Sequence, residues 1–93
     1  MSPSLWTART LSLLTRAMAN LAVSVGHSGA RASSFLRATQ GLFEGGRRSA
    51  AAGPLSPALE LFNINFGPNS CAVLAKILNV VLSAGPVLGA ARI

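Results

Sequence analysis

Apolar side chains recur at helical spacing through the first quarter of the chain. At about 100° per residue, Leu11, Leu14, Met18, Leu21, Ala22 and Val25 gather on one face of a helix. Arg9 and Arg16, seven positions apart, project together on the opposite side, with Asn20 beside them. Ser2 is a capping residue and Pro3 suits a first helical position, so a helix is expected to open there, and no Pro or Gly interrupts it from Leu5 to Val25. The stretch Gly26-His27-Ser28-Gly29 reads as the turn that ends it. A second helical piece is expected over residues 30–40. Gly41, Gly45, Gly46, Pro54 and Pro57 then predict a linker region over 41–57.

The period changes at residues 61–66. Phe62, Ile64 and Phe66 alternate with Asn63 and Asn65, which predicts a short extended segment. Gly67-Pro68-Asn69 reads as a turn, with Asn69 or Ser70 capping a helix over residues 71–84. On that helix Lys76, Asn79 and Ser83 form a narrow polar stripe. Leu74, Ile77, Leu78, Val80, Val81 and Leu82 cover the remainder, and Gly85-Pro86 stops or kinks it. The fold class expected is therefore mostly α, small and partly disordered. It comprises an N-terminal amphipathic helix, a flexible Gly/Pro linker, a short extended segment and a C-terminal apolar helix.

Charge sharpens this division. Residues 1–49 hold six Arg against Glu44 alone, whereas residues 50–93 hold Lys76 and Arg92 against Glu60. The formal net charge is +6, and no Asp occurs. Three segments follow: 1–49, an Arg-rich amphipathic segment of the targeting type; 50–57, a linker; and 58–93, an apolar segment carrying a membrane- or partner-associated helix. A chain of 93 residues builds at most a modest core. With one cysteine, Cys71, and one histidine, His27, neither an internal disulfide nor a metal cage of the Cys/His kind reinforces it.

The first segment has the composition of a mitochondrial presequence: amphipathic, rich in Arg and Ser, poor in acids. No carboxylate occurs before Glu44. The physical need is plain, because a receptor takes an apolar helix face and the inner-membrane potential draws positive charge inward. The targeting face consists of Leu11, Leu14, Met18 and Leu21, backed by Arg9 and Arg16. Arg48-Ser49-Ala50 resembles a presequence-processing site, with Arg two residues before the cut and cleavage after Ser49. A packing helix of an ordinary small domain explains the same stripe and is the competing reading. A secretory signal fits poorly, since Arg9 and Arg16 bracket too short an apolar run.

In the C-terminal segment, Leu74, Ile77, Leu78, Val81 and Leu82 form the membrane- or partner-facing set. Lys76 and Gly85-Pro86 interrupt the run, so a helix lying in the interface or against a partner is expected over a simple span.

No catalytic, metal or cofactor residues are expected, and the chain is read as a non-enzyme. Gly26-His27-Ser28-Gly29-Ala30 approaches a nucleophile-elbow pattern, but the elbow needs a preceding strand and a triad needs an orienting acid. Glu44 and Glu60 flank the linker, and no phosphate-loop Lys-Ser/Thr follows Gly41–Gly46. Cys71 is read as a buried apolar thiol. Scattered arginines with one Trp and no Tyr argue against nucleic acid as a partner, and no small-molecule substrate is expected.

The function expected is a small imported mitochondrial protein, associated with the inner membrane or a membrane-bound complex as an accessory or regulatory peptide. A membrane-active or partner-binding amphipathic peptide without an organelle address is the second reading. An open reading frame with no defined biochemical role is the third.

Overall fold

The computed structural model describes residues 6–43 and 55–84. Nearly all of them lie in four helices: α1 (Ala8–Ser24), α2 (Gly29–Phe43), α3 (Ser56–Phe66) and α4 (Pro68–Ala84). The chain is small and mostly helical, as its periodicity predicts.

Helix α1 begins later than Ser2 and Pro3 suggest, and those two residues lie outside the described part. Thr7 is extended (φ −72°, ψ 155°), and its side chain accepts a hydrogen bond from the Thr10 amide. The far end closes as the glycine turn predicts. His27 N–H donates to Ala22 O at 3.0 Å and Gly26 N–H to Val23 O at 3.1 Å, the paired bonds of a Schellman cap. Gly26 sits at φ 109°, where a side chain would be strained. Ser28 then caps α2, its Oγ accepting from the Arg31 amide at 3.1 Å. Four residues thus join α1 to α2 as a helical hairpin.

Three expectations are corrected here. Residues 61–66 are helical, not extended. Phe62 and Phe66 are four apart, share one helical face and are buried, while Ile64 between them is 78% exposed. Gly41 does not break the chain, because α2 runs on to Phe43. Nor do Ser56 and Pro57 belong to a linker: they open α3, where proline's missing N–H removes no helical bond. Leu55, just ahead of α3, is fully buried in the core, and the remaining residues of the expected linker, 44–54, lie outside the described part. So does Gly85-Pro86.

These glycines make a paired test. Gly26→Ala is expected to destabilise the protein by about 1–2 kcal/mol, from left-handed strain alone, since nothing lies near an added Cβ. Gly41→Ala, in an exposed helical position with equal space, is expected to stabilise it by about 0.5–1 kcal/mol. Urea unfolding midpoints of the two variants should move in opposite directions.

Each helix contributes one stripe to a single core. Helix α1 buries Leu11, Met18 and Ala22; α2 buries Ala32 and Phe35. Helix α3 supplies Phe62 and Phe66, and α4 supplies Leu74 and Leu78. Helix α1 packs on α2, α2 on α3 and α3 on α4, with α1 also touching α3 and α4. At the centre Phe35 meets Phe62 edge-on, with centroids 5.6 Å apart. Phe66 lies 5.4 Å from Phe35 and 4.8 Å from Phe62, both within the favourable range for aromatic pairs. Two threonines are buried without an unmet hydroxyl. Thr15 Oγ1 donates to Ser12 O at 3.1 Å, and Thr39 Oγ1 to Leu36 O at 3.0 Å.

Candidate functional site

Two helix surfaces carry the residues singled out by pattern, and the fold treats them differently. On α1 the apolar face is turned inward. Leu11 and Met18 are fully buried, and Leu14 and Leu21 are half-buried against the same core. Arg9 and Arg16 are exposed on the opposite side, with Leu13 between them at 60% exposure. The polar and apolar sides of α1 therefore fall where the spacing puts them, except at Val25, which follows the helix as its cap and is exposed. In the folded chain, however, a receptor cannot reach Leu11 or Met18 without α1 leaving its neighbours. Arg48, Ser49 and Ala50 lie outside the described residues.

On α4 the expected partner-facing set divides in two. Leu74 and Leu78 are buried against α3 and α1, with Cys71 half-buried on the same side, not fully buried as expected. Ile77 and Val81 stay exposed, joined by Val73 and Val80. These four residues are between 41% and 68% exposed. They are spaced i, i+4, i+7 and i+8, so they form one strip on the outside of the helix. Nothing is described for the Leu82 side chain. Val73 is the residue that pattern reading passed over; its place four before Ile77 was the available signal. At 17 residues and 1.5 Å per residue, α4 reaches about 26 Å, short of a bilayer core of about 30 Å. No described helix is long and apolar enough to cross a membrane.

A third feature joins the two helical hairpins. His27 Nε2 and Ser70 Oγ are hydrogen-bonded at 2.8 Å, with the donor set by the imidazole tautomer. The ring of Phe66 packs on His27 with centroids 5.0 Å apart. His27, in the glycine turn, is thus tethered to the start of α4. Nearby, Arg31 Nη1 donates to Asn65 O at 3.1 Å. It borders an open cleft of about 430 Å³, lined also by Ser28, Ser34 and Ile64. These links fix the α1–α2 turn against the α3–α4 joint, where Gly67 (φ 89°) serves both helices. Its N–H donates to Asn63 O at 2.8 Å, and its carbonyl accepts from the Cys71 amide at 3.1 Å.

Chemically the arrangement offers cations, hydroxyls and apolar strips. Glu60 is the only carboxylate among the described residues, and no group of three potential metal ligands occurs among them. Among the described residues, four helices form a small basic bundle, with the amphipathic α1 packed inward and an apolar strip of α4 left outward. No protein-family model, no curated protein and no solved structure matches the chain.

Proposed function

We propose that this chain is a small imported mitochondrial protein that acts at the inner membrane as an accessory or regulatory component, without catalytic chemistry of its own. The observation that carries the reading is α1. It is a 17-residue helix with Arg9 and Arg16 outward and Leu11 and Met18 opposite, in a stretch free of carboxylates up to Glu44. A polarised bilayer draws such a segment inward, and an import receptor binds its apolar side. Residues 1–49 serve as the address in this reading, and the chain, with α1 and α2 still packed on α3 and α4, works at the membrane through α4.

The test is a fluorescent reporter fused behind residues 1–49. Mitochondrial accumulation is expected, and Arg9→Glu with Arg16→Glu should abolish it. A reporter left in the cytosol, or one imported equally well after charge reversal, refutes the address. That outcome favours the second reading, a membrane-active or partner-binding peptide without organelle targeting, for which the exposed strip of α4 is the specific support.

A further inference from the structure

We propose that the folded protein docks on anionic bilayer surfaces through the outer face of α4, with Val73, Ile77, Val80 and Val81 in the acyl–headgroup boundary and Lys76 on the lipid phosphates. The inference rests on the membrane reading above and adds the surface, the orientation and the lipid class.

Helix α4 is held in one rotation. Cys71, Leu74 and Leu78 face the core, so the strip from Val73 to Val81 is fixed outward. It spans eight residues of rise, about 12 Å, along one side of the helix. Its four side chains are aliphatic, although Asn79 shows that the same helix carries polar groups elsewhere, and exposed Asn69 ends the line one turn before Val73. A helix on the outside of a bundle ordinarily turns its polar side to water. This one sets its apolar strip between the core-facing side and a polar edge.

That edge decides the occupant. Lys76 lies three residues after Val73 and four before Val80, so it adjoins the strip directly. Its four-carbon stem can lie along apolar surface while the ammonium reaches headgroup level. No carboxylate occurs in α4 to oppose a negative surface. Among the described residues Arg9, Arg16, Arg31, Arg37 and Lys76 face Glu60 alone. An aliphatic strip edged by a cation, on a chain of net charge +6, complements anionic lipid: apolar burial holds the helix and headgroup attraction selects the surface.

The experiment is co-sedimentation of the full chain with phosphatidylcholine vesicles, with and without phosphatidylglycerol, followed by circular dichroism of the bound protein. Binding is expected only with the anionic lipid, with helix content unchanged. Ile77→Ser is expected to weaken it by about tenfold, through lost apolar burial. Lys76→Glu should weaken it by about tenfold or more and flatten its salt dependence. Leu13→Ser, on the outer face of α1, is the control and should bind as the parent does. Each variant's dichroism in buffer establishes that it folds. Binding that survives the α4 substitutions but is lost on Arg9→Glu with Arg16→Glu overturns this docking face and leaves the membrane reading standing. No binding to either vesicle overturns both. A change in oligomeric state on Ile77→Ser, with vesicle binding intact, assigns the strip to a second copy and likewise overturns the proposal.

Discussion

Phe62→Ala is expected to destabilise the protein by about 3–5 kcal/mol, enough to leave much of a domain this small unfolded at 25 °C. Phe62 is fully buried and touches both of the other core phenylalanines. Its removal deletes the transfer energy of a whole aromatic ring. It also leaves a void between α2 and α3 that rigid helices close only in part. No disulfide or described metal group offsets the loss. Leu13→Ala, at a side chain 60% exposed, should change stability by less than about 0.5 kcal/mol. Urea unfolding followed by circular dichroism measures both. Equal effects at the two sites would mean that the aromatic cluster is not the core.

The second large effect concerns the address. Leu11 and Met18 cannot pack on the core and bind a receptor at once, so import of the finished chain draws on the population in which α1 is released. A loss of 3–5 kcal/mol raises that population by roughly two to nearly four powers of ten, until it saturates. Uptake of purified Phe62→Ala protein by energised mitochondria is therefore expected to exceed that of the parent by about tenfold or more. Arg9→Glu with Arg16→Glu on the same background should remove the gain, because general unfolding alone does not restore the positive face. Uptake that stays unchanged when Phe62 is removed would show that the packed face of α1 is not what import reads.

Periodicity made some elements legible and hid others for identifiable reasons. The inward stripe of α1 stood out because Leu11, Met18 and Ala22 repeat at helical spacing over three turns, and Gly26 supplies the left-handed residue its cap requires. Residues 61–66 misled because Phe62, Ile64 and Phe66 satisfy alternation while Phe62 and Phe66 also satisfy i, i+4. Six residues are too few to separate the two periods. Pro57 at the start of α3 and Gly67 at its end were the better guides. Gly41 reads as a breaker, yet a helical glycine costs only about 1 kcal/mol, less than the packing of Phe35 and Thr39 on the same helix supplies. On α4 the composition showed an apolar helix. It could not show which apolar side the core takes, since Leu74 and Leu78 differ from Val73 and Val80 only in rotation. The His27–Ser70 tether had no local signal, because its partners are 43 residues apart.

Trp6 gives the most direct measurement of whether α1 belongs to the core. It is the single tryptophan, stands just ahead of α1 and is 5% exposed. Its fluorescence is expected to be blue-shifted and shielded from acrylamide in buffer. On adding urea it should shift to the red in one transition that coincides with the loss of helical dichroism. Emission already typical of water in the native protein, or a Trp6 transition separated from the loss of helix, would contradict a bundle that holds α1 inside.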